Sequence, residues 1–172
     1  STSGGVWRLG KHAIKTWSAT QGAYALSSAE AELYSMIEGV TRAKGLLSLA
    51  RELGFVGLSN VLRLGTDSSA AKSFVCRRGL GKMRHLEIRD LWLQKEVQDG
   101  KLEVFKTPGE TNPADLMTKY LTRSVMDSHF GFLSQRRESG RAKSGLNIQG
   151  KNTATTETVC LLYTSDAADD TP

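Results

Sequence analysis

The groups best suited to chemistry in this 172-residue chain are acids placed where helices begin and strands end. Glu30 and Glu32 stand in "ALSSAEAELYSMIEG", residues 25–39, within the first turn and a half of a long helix. Side chains two apart on a helix point to roughly opposite faces, so these two do not share one job. Ser27 with Glu30 three residues on makes a capping box, in which the carboxylate reaches back to the cap's amide. That gives Glu30 a structural duty. Glu32 adjoins Leu33 near the apolar face, where a carboxylate is costly unless paired or metal-bound, although the helix dipole alone also favours an acid at this end. Asp67, in "LGTDSSAA", follows a buried strand and precedes a helix. It is either an N-cap or a carboxylate at the C-terminal edge of a central strand, where α/β sheets commonly hold ligands. Asp115, in "NPADLMTKYL", falls at the third position of a last helix, where an acid is electrostatically welcome in any case. Spacing leaves both readings of each acid open.

A basic cluster accompanies them. The formal charge is +5. All of that excess lies in residues 1–122, densest at "CRRGLGKMRH", with Arg77, Arg78, Lys82 and Arg84 beside His85. A glycine-loosened basic loop on a compact domain is an electrostatic footprint for a nucleic-acid backbone, and equally a solvated positive loop.

The elements that must position these groups follow from periodicity. Residues 5–9 and 12–18 read as two strands around a Gly-containing turn, and 28–53 as a helix ended by Gly54. Gly39 and Gly45 weaken that helix, so close packing at one of them is expected. Residues 61–64 read as a short buried strand, 68–77 as a helix, and "MRHLEIRDLWLQKEVQ" as another closed by Asp99-Gly100. "KLEVFKT" alternates as a strand. A last helix opens with Asn112 as cap and Pro113 in the first position. The order β-β-α-β-α-α-β-α is α/β.

Beyond Thr122 the composition shifts. Residues 134–158 are rich in Ser, Thr, Gly, Arg and Asn and poor in large apolar residues, so the division expected is a domain over 1–122 and a disordered tail over 123–172. No apolar run reaches the ~18 residues of a membrane span, and "STSGGVWRLG" has no apolar signal-peptide core. Cys76 and Cys160 lie far apart without C-x-x-C or His-rich company, which argues against a disulfide framework or zinc site and fits a reducing compartment.

Taken together, A-E-A-E-L on a helix, T-D-S at a strand end, R-H-L-x-I-R on a helix and N-P-A-D-L-x-T-K after a strand resemble the ribonuclease H region of copia-type retrotransposon polyproteins, over residues 1 to about 122. The resemblance implies a ribonuclease H-like mixed sheet flanked by helices. It also implies hydrolysis of the RNA strand of an RNA–DNA hybrid during reverse transcription, with two Mg²⁺ (or Mn²⁺) ions. By motif it assigns the metal-binding, catalytic roles to Glu32, Asp67 and Asp115. The partners implied are the hybrid and the rest of the polyprotein, reverse transcriptase and integrase included, in cytoplasmic virus-like particles and the nucleus, with no membrane. The basic residues Arg77, Arg78, Lys82, Arg84 and His85 are then expected at the nucleic acid.

Two departures stand out. The loop "KTPGETNPAD" lacks the histidine that many cellular ribonucleases H carry there, and His85, on the R-H-L-x-I-R helix, is no direct replacement. The family's first strand, with another catalytic aspartate, precedes the segment that begins this chain. The expectation is therefore an N-terminally truncated domain, poor or inactive as a nuclease. The competing reading is a catalytically silent nucleic-acid-binding remnant. Finally, "CLLYTSDAADD" resembles translated sequencing-adapter DNA, so residues from about 159 are expected to be foreign to the domain.

Overall fold

The structure, a computed structural model, describes residues 1–81, 86, 88–137 and 160–167. β1 (Thr2–Leu9) and β2 (His12–Thr20) form the expected antiparallel hairpin, with a register shift between Trp7 and Arg8. α1 (Ser28–Glu52) follows, then β3 (Leu62–Thr66) and α2 (Ser69–Cys76). A 3-10 turn over Ile88–Leu91 leads into α3 (Trp92–Gln98), and β4 (Leu102–Lys106) comes next. Short 3-10 turns cover Gly109–Thr111 and Pro113–Met117. α4 (Arg123–Phe132) and β5 (Cys160–Ala167) complete the described elements.

The strands make one five-stranded sheet in the order β2-β1-β5-β3-β4. β5 is antiparallel to β1 and parallel to β3, and β3 is parallel to β4. The last strand in sequence therefore lies in the middle of the sheet. That is the slot the resemblance leaves empty. Leu162, Tyr163 and Thr164 are buried there, so the segment expected to be foreign to the domain supplies its central strand.

One face of the sheet carries the main core. Leu33, Met36, Val40, Ala43 and Leu47 recur at helical spacing on α1 and pack with Trp7, Trp17, Leu64 and Leu162, while Phe74, Val75 and Leu93 extend the cluster under α2 and α3. Burying each large side chain contributes roughly 1.5–3 kcal/mol. Gly39 is the close approach the sequence called for: a Cβ there would stand 2.6 Å from Thr164 Cγ2 and 3.2 Å from Leu162 Cδ2, whereas Gly45 faces open space. Helix α1 thus lies directly on the central strand.

The opposite face corrects the expected boundary at Thr122. Leu133 and His129 are buried, and Phe132 meets Tyr163 edge-on at 5.6 Å between centroids. The guanidinium of the buried Arg8 lies 4.4 Å from the Phe132 centroid. A tail without structure from 123 was expected because 134–158 is polar, but residues 125–133 hold Val, Met, Phe, Phe and Leu, enough to seat a helix. The remainder of that tail, 138–159 and 168–172, lies outside the described residues.

Candidate active site

At the start of α1, Glu30 has the structural duty expected of it, though its carboxylate reaches the amide before the cap rather than the cap's own. Ser27 Oγ accepts the Glu30 amide at 3.2 Å. The Glu30 carboxylate accepts from the Leu26 amide at 2.9 Å, one residue before the cap, and from the Tyr34 hydroxyl at 2.6 Å. Glu30 is 2% exposed, and both of its oxygens are used in holding the helix start. Glu32 is also buried, but lies two turns before Gly39 on the stripe that faces β5. The start of α1 is tied to β1 by Gln21, whose Nε2 donates to Ser3 Oγ (2.9 Å) and to the Ala31 carbonyl (2.8 Å). Ser3 pairs in register with position 166 of β5. Glu32 therefore stands over the C-terminal end of the central strand.

Asp67 sits at the same end, directly after β3. The capping that the sequence left open falls to its neighbour: Ser68 is the N-cap of α2, its Oγ accepting from the Ala71 amide at 3.1 Å. Asp67 is left without that duty. Its carbonyl instead accepts from Lys106 Nζ, which also donates to Ser69 Oγ at 2.7 Å.

Asp115 arrives from the other face. Asn112 caps its turn, accepting from the Ala114 amide at 3.2 Å as expected, and its Nδ2 donates to the Thr164 carbonyl at 2.9 Å. The turn thus hangs from the central strand. It also presses on β1, where a Cβ on Gly4 would meet Thr118 Cγ2 at 2.5 Å. The helix expected from Asn112 is a 3-10 turn of five residues, and α4 starts separately after Thr122. Asp115 is buried and paired with Lys119 Nζ at 3.1 Å, an i,i+4 partner that the sequence reading passed over.

Glu32, Asp67 and Asp115 thus lie on a helix, after a strand end and in a turn, each placed toward the end of the sheet where β3 and β5 finish. Among the described residues, no three acidic, histidine or cysteine side chains stand close enough to hold a metal ion. Of the expected nucleic-acid contacts, Arg77 and Arg78 are exposed. Lys82, Arg84 and His85 lie outside the described residues.

An antiparallel hairpin, a central strand parallel to its next neighbour and helices on both faces define a ribonuclease H-like mixed sheet. The chain is similar to retrovirus-related Pol polyproteins of plant transposons. It is 29% identical over 130 residues, 74% of its length, to the retrovirus-related Pol polyprotein from transposon RE1 of Arabidopsis thaliana. It is 28% identical over 129 residues to that from transposon TNT 1-94 of Nicotiana tabacum, and 30% over 125 residues to that from transposon RE2 of Arabidopsis thaliana. The chain spans 9%, 10% and 8% of these relatives' lengths, respectively, and so resembles one region of a retroelement polyprotein. No protein-family profile matches it. No solved structure matches it either. Among the described residues no helix is long and apolar enough to cross a membrane.

Proposed function

We propose that this chain is the ribonuclease H region of a retroelement Pol polyprotein, hydrolysing the RNA strand of an RNA–DNA hybrid in reverse transcription. The observation that carries the reading is the division of labour at the sheet end. Ser27 with Glu30, Ser68 and Asn112 perform the capping, and Glu32, Asp67 and Asp115 are the acids placed toward the sheet end beside those caps.

Oxygen-only donors are what Mg²⁺ takes, usually through one or two carboxylates completed by water and substrate phosphates. The donor set suits such ions chemically, and Glu32, Asp67 and Asp115 are the residues that would hold them. When bound, the ions would activate water and neutralise charge at the scissile phosphate. The chain's own work is to fix these carboxylates on separate rigid elements and to attract the hybrid with exposed cations such as Arg78.

The competing reading, a silent nucleic-acid-binding remnant, draws on the absence of a metal-holding trio among the described residues. Incubating the full chain with a labelled hybrid and Mg²⁺ or Mn²⁺ separates the two. Metal-dependent cleavage lost in Asp67→Asn supports the nuclease. Salt-sensitive binding without cleavage at any Mg²⁺ or Mn²⁺ concentration would establish the remnant.

A further inference from the structure

Residues 77–81, the described start of the basic loop, are shaped from inside by a side chain of α3. Gln94 is 4% exposed. Its Nε2 donates to the Phe74 carbonyl (2.9 Å) and the Gly79 carbonyl (3.1 Å), while its Oε1 accepts the Gly79 amide at 2.9 Å. One amide group thus satisfies both backbone polar groups of Gly79 and a last-turn carbonyl of α2. Only a carboxamide offers two donors and an acceptor side by side; a glutamate would set an anion against two carbonyls. Gly79 itself turns the chain with φ 78°, a conformation that disfavours any side chain.

The two arginines of this loop differ in consequence. Arg77 is turned to the loop: Nη2 donates to the Leu80 carbonyl at 2.8 Å, and the guanidinium carbon lies 4.9 Å from the Phe74 centroid. Gly81 leaves room for it, since a Cβ there would collide with the guanidinium. Arg78, next in sequence, is exposed.

We propose that Gln94 is a positioning residue for nucleic-acid binding: its buried amide fixes the loop so that Arg77 serves as an internal strut and Arg78 is held out to a phosphate. The inference rests on the hybrid-binding reading above. A cation on a glycine-rich loop must otherwise be ordered during binding, and fixing it beforehand removes that cost.

The test measures affinity of the full chain for a fluorescent RNA–DNA hybrid across a salt series, in EDTA to prevent cleavage. Arg78→Ala is expected to reduce the slope of log affinity against log salt by about 0.7–0.9, one phosphate contact. In a Gln94→Met background the same substitution should change the slope by less than half as much. Equal reductions in both backgrounds overturn the inference while leaving the hybrid reading intact. A wild-type chain with no salt-dependent binding overturns both. Because Gln94→Met leaves buried groups unpaired, hydrogen exchange on the wild-type chain provides a second measurement. The Gly79 amide, although its residue is exposed, should be protected, and exchange there at the rate of an open loop would overturn the proposal.

Discussion

The starts of α1 and α2 share a grammar, a serine cap with an acid beside it, and use it differently. At α1 the acid lies inside the helix at Glu30, and backbone and tyrosine donors occupy both its oxygens. At α2 the acid precedes the cap, and Ser68 alone holds the helix. Asp67 is thereby left at the sheet end. The lesson is that an acid's role near a helix start depends on which local donors can reach it. Glu32, two residues past Glu30, escapes the same donors by facing the sheet.

The largest expected effect tests that contrast directly. Asp67→Asn and Glu32→Gln should each lower hybrid cleavage by more than the ~10–100-fold that even outer-shell partners of a metal are worth, with little change in melting temperature. Turnover and thermal unfolding measured on the same preparations provide the check. Loss of cleavage accompanied by an equal loss of folded protein would return both acids to structural roles.

Glu30→Ala should do the reverse. It strips acceptors from the Leu26 amide and the Tyr34 hydroxyl, at ~1–3 kcal/mol for each group left unsatisfied, while the activity of the folded fraction holds within about twofold. A drop of several degrees in melting temperature is the expected reading. If Glu30→Ala abolished cleavage at unchanged stability, the division between the two glutamates would fail.

A smaller effect sharpens the α2 side. Ser68→Ala should cost about 1 kcal/mol, the usual worth of such a cap, and Asp67→Asn much less. Denaturant melts of the two variants rank them. The opposite ranking would mean that Asp67 helps to cap the helix after all.

Much of this was readable from residue types. The capping serine at 27, the asparagine cap at 112 and the glycine packed on a strand are local features, because each depends on backbone groups only a few residues away or on a missing Cβ. What escaped was long-range. Nothing near Thr122 signals that Phe132 will find Tyr163 and Arg8 across the sheet. Nothing in "CLLYTSDAADD" states that its slot lies between two strands made more than ninety residues earlier. Its composition, two leucines and a tyrosine among small polar residues, suits a buried strand, but only the open place between β1 and β3 makes that reading decisive. Asp67 lies between these extremes: "TDSS" lets either residue cap the helix, and the observed Ser68 cap relieves Asp67 of that role.

The smallest expected effect compares Asp115 with Asp67. Both stand at the sheet end, but only Asp115 has an ammonium partner within its own turn, Lys119 at 3.1 Å. That pair is partly exposed, and such pairs contribute roughly 0–1 kcal/mol, so Lys119→Ala should barely move the melting temperature. Its consequence should lie in metal dependence. On the proposed reading, an ammonium group on Oδ2 competes with a divalent ion for that carboxylate, and removing it lessens the competition. Hybrid cleavage by Lys119→Ala should then reach half its maximum at a lower Mg²⁺ concentration than the parent chain, and Lys119→Arg should not show the shift. A magnesium titration of the three proteins is the measurement. An unchanged midpoint in Lys119→Ala would mean that the ammonium does not compete, and that Asp115 meets its metal as freely as Asp67.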